Sequence, residues 1–172
     1  QEVPVGQLGS LSFTPAPNAS GTSTFTFQVK DNGGTAPVLG INGQDTDATP
    51  KTVTITVSAV NDAPVGTSST ITATEGDASV AITVGDFGFA DPSDSPPNNF
   101  KAVKIVALPS TTAGTLKLGA NNVNPANPIP FAELGNLSFV PASSTFAGQA
   151  TITFQVQDDG GAANTGVDTD TI

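Results

Sequence analysis

One pattern is written twice in this chain and restricts its fold more than any other feature. Residues 21–31 read GTSTFTFQVKD, and residues 148–158 read GQATITFQVQD. Apolar side chains fall at every second position, with Thr, Gln and Lys between them. Period two belongs to a strand, whose side chains alternate between faces; a helix requires 3.6. Phe25, Phe27 and Val29 therefore share one face. The same alternation recurs in KTVTITVS (51–58), STITATEG (69–76), VAITVGDF (80–87), FKAVKIVAL (100–108), GTLKL (114–118) and LSFVP (137–141). Gly, Pro, Asn and Asp fill the gaps, and no stretch carries a helical period. Apolar-in, Thr-out alternation predicts antiparallel, half-buried strands, and short strands at this spacing predict a β-sandwich.

The duplication extends beyond one strand. VPVGQLGSLSFTPA (3–16) matches IPFAELGNLSFVPA (129–142), and NGQDTD (42–47) matches NTGVDTD (164–170) with one inserted residue. The offsets are 126, 127 and 123, so only loops differ. This predicts tandem repeats whose natural boundary is the AVNDAP stretch (59–64). On that register residues 1–62 are the C-terminal part of one repeat, expected to form three strands without their front partners. Residues 63–172 are a second repeat, nearly complete but lacking its last strand. Pro64 stiffens the exit from the boundary and keeps Ala63 extended. Three strands bury too little surface to stand alone, so the first piece is expected to pack on further sequence or on another chain. The sequence carries no initiating Met, which suggests a processed product or part of something longer.

Composition removes whole classes of function. The chain contains no His, Cys, Trp, Tyr or Met, which excludes imidazole bases, thiolate nucleophiles, disulfides and Cys/His zinc sites. Fifteen acids against five Lys give a net charge of −10. That balance disfavours nucleic acid, whose phosphates need cationic neutralisation, and suits cations or solubility. No apolar run approaches the roughly 20 residues of a membrane-spanning helix. A carbohydrate platform of Trp or Tyr is missing. Paired carboxylates alone do not argue for a glycosidase when they lie in turns. An isopeptide crosslink through Lys30, Lys104 or Lys117 is chemically conceivable, but Lys30 has solvent parity, opposite Phe27 and Val29. The sequons at 18–20 and 136–138 read as chance, and Phe87 and Phe89 read as core by their i, i+2 spacing.

The segments VTITVSAVNDAPVG, ITATEGD, FGFADPSDSPPNNFKAVKIVALPSTTAGTLKL, LSFVPA and ATITFQVQDDGG together resemble the cadherin-like, Ig-fold tandem repeats of "VNDAP" type. Such repeats occur in large bacterial RTX and biofilm adhesins and other surface proteins. The resemblance spans almost the whole chain. It implies a non-enzymatic, extracellular spacer module with calcium at the joint between successive domains. Carried over position by position, it assigns ligands to Asn61 and Asp62 of the linker, Glu75 of the TEGD turn, Asp91 and Asp94 of the DPSD loop, and Asp31 and Asp158 of the two QV-x-D turns. The second acid of the family's usual D-x-D pair is displaced here to Asp94.

The chemistry is compatible. Ca2+ takes about six to eight hard oxygen ligands, and the acids concentrate in turns, where like charges repel unless a divalent cation intervenes. Asp and Asn also favour turns for backbone reasons alone, which suffices for the DTD segments at 45–47 and 168–170. Two functions are therefore expected in competition. One is a calcium-stiffened spacer whose partners are neighbouring repeats of the same polypeptide. The other is a filament subunit, in which identical chains join head-to-tail by lending the strand at 51–58 to one another.

Overall fold

A computed structural model describes residues 1–37, 39–41 and 43–171. Asn42, the first residue of the repeated NGQDTD segment, lies outside the described residues. The chain divides into two compact units, Gln1–Ala59 and Val60–Ile172. Asn61 and Asp62, read from sequence as the end of the first repeat, fold with the second unit.

The first unit is a ribbon. Strands β1 (Gly21–Phe27) and β2 (Lys51–Val57) pair antiparallel, Gly21 opposite Val57 and Phe27 opposite Lys51. A 3-10 turn at Val5–Ser10 precedes them, and a Lys30–Thr46 bridge closes the loop between them. Two strands form here, where three were expected. Residues 11–15, LSFTP, repeat LSFVP of the second unit, but among the described residues of the first unit no neighbouring strand completes a ladder with them. Every residue of β1 is exposed, and so are Leu8, Leu11, Phe13 and Val29.

In the second unit the same motifs are covered. Strands β3 (Val80–Ala81), β8 (Leu137–Pro141), β5 (Gly114–Leu118) and β6 (Asn121–Asn122) form one antiparallel sheet in that order. Strands β7 (Ile129–Pro130), β4 (Phe100–Ala107) and β9 (Thr153–Asp158) form the other. Between them lies a core of Ile82, Phe87, Val103, Ile105, Leu116, Val123, Ile129, Leu134, Leu137 and Val156. Leu134, Leu137 and Val156 are the repeat counterparts of Leu8, Leu11 and Val29. They are at most 2% exposed, against 50–60% for those three. Burial of such side chains is worth about 1.5–3 kcal/mol each, so the second unit gains stability from residues that in the first contribute little.

Two expected strands are altered. Residues 69–74 have strand-like alternation but no ladder partner, and they run as coil. The segment 80–87 holds only two strand residues before turning into a 3-10 helix, Val84–Phe87. Thr83 and Asp86 form a reciprocal capping box there, with Thr83 N and Oγ1 each donating to Asp86 Oδ2 at 2.7 Å. Gly88 ends the turn at φ +53°, where a Cβ would stand 2.6 Å from Thr67 Cβ. Phe87 still reaches the core, and Phe89 stacks on Phe100 with centroids 4.6 Å apart. Regular helix is confined to short 3-10 turns among the described residues, and no helix there is long and apolar enough to cross a membrane.

Candidate metal centre

The beginning of the second unit is tied to two loops by side-chain amides and carboxylates. Asn61 lies alongside the turn before Thr169. Its backbone carbonyl accepts from Val167 N at 2.9 Å, and its Nδ2 donates to Val167 O at 2.7 Å. The same Nδ2 donates to Asp158 Oδ1 and Oδ2 at 3.1 and 3.3 Å. Asp158 ends β9, is wholly buried, and also accepts from Gly160 N at 2.8 Å. Asp62 N donates to Asp94 Oδ2 at 2.9 Å. Asn98 ties its own loop to the start of the unit: its backbone N donates to Asp91 Oδ2, and its Nδ2 donates to Asn61 Oδ1 and, at 3.3 Å, to Asp94 Oδ2. Next to it, Asn99 grips Asp159, with N–Oδ1 at 2.8 Å and Nδ2–Oδ2 at 3.1 Å.

The electrostatics of this cluster are unbalanced. Burial pushes the Asp158 carboxyl above its ordinary value, and the charges of Asp91 and Asp168 push the same way, against hydrogen bonds from Gly160 and Asn61. Asp91 is 7% exposed, and its Oδ1 is buried without a hydrogen-bond partner. A buried, unpartnered carboxylate oxygen beside a second buried carboxylate is costly unless a cation or proton is supplied. Asp159 lies below its ordinary value because of the Asn99 side-chain and backbone hydrogen bonds. At Asp168 burial acts upward, but hydrogen bonds from Gln157 and Thr169 and the charges of Lys104 and Lys101 outweigh it, leaving the group low.

The seven residues expected to ligate a metal thus fall into three places. Asn61, Asp62, Asp91, Asp94 and Asp158 are linked within the second unit, directly or through Asn98. Asp31 belongs to the first unit, where it caps its own turn by accepting from Gly33 N at 2.8 Å. Glu75 lines an open cleft together with Phe146 and Gly148, and among the described residues it makes no hydrogen bond to the cluster. No group of three carboxylates among the described residues forms a metal cage by itself; amide side chains stand between the acids. Asn98 was not anticipated, because an Asn after two prolines reads as an ordinary turn residue.

The DTD segments are more than solvated loops. Asp170 Oδ1 accepts from Val156 N at 2.9 Å and Oδ2 from Gly66 N at 3.1 Å, so it tethers the segment leaving the boundary to β9. The first unit repeats the surrounding backbone bonds, although Asp47 Oδ1 accepts from Thr49 N rather than from the strand. Asp31 N to Asp45 O (2.8 Å) matches Asp158 N to Asp168 O (3.0 Å), and Gln28 Nε2 to Asp47 O matches Gln155 Nε2 to Asp170 O, both 2.7 Å. Lys30 is salt-bridged to Glu2 at 3.0 Å, and Lys104 donates to Thr169 Oγ1 at 2.7 Å, so neither is directed at an amide side chain.

Antiparallel sheets around one core, with the repeated turn geometry, define an Ig-like all-β module. Residues 1–58 match the family model described as bacterial Ig domain, a class typical of surface proteins and typically non-catalytic. Comparison with curated proteins and with solved structures gave no match.

Proposed function

We propose that this chain is a cadherin-like spacer repeat of a large extracellular adhesin or surface protein, stiffened by Ca2+ bound at the start of its second unit. The observation that carries the proposal is the buried Asp91–Asp158 pair with its unpartnered Asp91 Oδ1. Asn61, Asp62, Asp91, Asp94 and Asp158 would hold the ion, with Asn98 beside them. All offer the hard oxygens that Ca2+ prefers. The Asn61 and Asn98 Nδ2 groups face carboxylate and amide oxygens. Rotation of those amides would present oxygen in place of N–H.

The bound ion would supply positive charge to carboxylates that now repel one another. It would also fasten Asn61 and Asp62, which follow directly on the first unit, to the loops at 91–98 and 158–160. A linker held at several points loses the freedom of an unstructured one. The expected consequence is a rigid extension that carries more distal modules away from a cell.

Thermal unfolding in Ca2+ and in chelator tests this. Binding to the folded state alone stabilises by about 2.7 kcal/mol at a hundredfold excess over Kd. Asp91→Asn should abolish the difference while leaving the chelator curve in place or raising it. Identical wild-type curves with and without Ca2+ would refute the metal reading.

A further inference from the structure

Asn98 carries two separable roles in the cluster. Its backbone N–H fixes Asp91 through Oδ2, while Asp91 Oδ1 stays buried without a partner. Asp91 is only 7% exposed, and that orphaned oxygen points to a cation rather than to a solvated acidic turn. The Asn98 side chain does something different. Its Nδ2 donates to Asn61 Oδ1 and Asp94 Oδ2, two of the residues that would hold the ion. Gly160 makes the space, since a Cβ there would stand 2.6 Å from this Nδ2. An amide NH2 offers two donors. Without a net charge they satisfy the acceptors that a cation would satisfy, so the ion and the Asn98 amide compete for the same oxygens. Asn61 is placed differently. Its Nδ2 also donates to Val167 O, outside the ligand set, so its Oδ1 stays aimed while Asn98 moves.

We propose that the Asn98 side chain is a built-in stand-in for the ion, an inference that rests on the Ca2+ reading of this site. In chelator the amide ties the 91–98 loop to Asn61. When Ca2+ binds, the amide turns its N–H groups away and the ion takes over their acceptors. The side chain thus makes the second unit less dependent on Ca2+ for its stability and lowers the affinity of the site. The two effects are one quantity: a group that favours the amide-held arrangement weakens a ligand of the other arrangement by the same factor.

Asn98→Ala in the full chain removes the competing amide and keeps the backbone N–H that holds Asp91. In chelator its Tm should fall by about 5–10 °C, for two hydrogen bonds of which one goes to a carboxylate. In saturating Ca2+ the fall should be less than half as large. Calorimetric titration should accordingly show Ca2+ bound about five- to tenfold tighter than by wild type. Asn98→Asp keeps the shape without a donor and should also bind tighter while losing Tm in chelator. Asn99→Ala is the control, because Asn99 bonds Asp159, outside the ligand set. It should lower Tm equally in both media and leave Kd unchanged. Weaker Ca2+ binding by Asn98→Ala, or an equal fall of its Tm in both media, would overturn the proposal while leaving Ca2+ at the site. So would the same Ca2+-dependent split at Asn99→Ala. A wild-type curve unmoved by Ca2+ would remove the metal reading, and this inference with it.

Discussion

Gly160→Ala probes the cluster at the beginning of the second unit directly. A Cβ at residue 160 would overlap Asn61 Oδ1 and Cγ and stand 2.6 Å from Asn98 Nδ2. Asn61 must then leave the position from which it donates to Asp158 and Val167. A hydrogen bond to a charged group contributes about 1.5–3 kcal/mol, and forced overpacking costs about 1–3 kcal/mol. A loss of about 3 kcal/mol follows, or roughly 10 °C in Tm for a unit of this size. The matched control is Gly33→Ala, the same motif position in the first unit. Its Cβ would meet only Asp31, with Oδ1 at 3.1 Å, and that change should stay within about 0.5 kcal/mol of wild type. Denaturant unfolding of both variants in chelator is the assay. Equal effects at the two glycines would refute the reasoning, since it depends on Asn61 and not on the motif.

Leu134→Ala should cost about 3–5 kcal/mol, because Leu134 is fully buried, whereas Leu8→Ala at the half-exposed repeat position should be nearly silent by the same measurement. In chelator, Asp158 should make the second unit gain stability as pH falls through its raised folded value toward its ordinary value of 3.8, because the folded state takes up the proton first. Asp168 acts with the opposite sign: its contribution is present above 3.8 and is lost as pH falls through its lowered folded value. Carboxyl titration by NMR separates the two, and an Asp158 shift downward would contradict the burial argument. Calorimetric titration with Ca2+ should lose its signal in Asp91→Asn but retain it in Glu75→Gln, because Glu75 lines the cleft apart from the cluster.

Much of this molecule follows from local pattern. Period-two alternation determines that β1, β2, β4, β5, β8 and β9 are strands, because a pleated chain places alternate residues on one face. The repeat offset places Asn61 and Asp62 at a boundary and pairs Asp31 with Asp158, and the structure reproduces that equivalence in backbone hydrogen bonds 2.8 and 3.0 Å long. What the repeat could not determine is the different fate of identical motifs. Leu8 and Leu134 stand in the same local sequence, yet one is exposed and the other fully buried; a Cβ at Gly33 would meet only Asp31, whereas one at Gly160 would overlap Asn61. Burial depends on which distant strands arrive, and only the second unit has β4 and β5 to cover its copy. The same reason explains residues 69–74 and 148–152, which have strand pattern and no ladder: alternation states which face a strand would bury, and only a neighbour supplies the hydrogen bonds that make it one. Asn98 likewise became part of the amide–carboxylate cluster only when the fold brought its loop against Asn61.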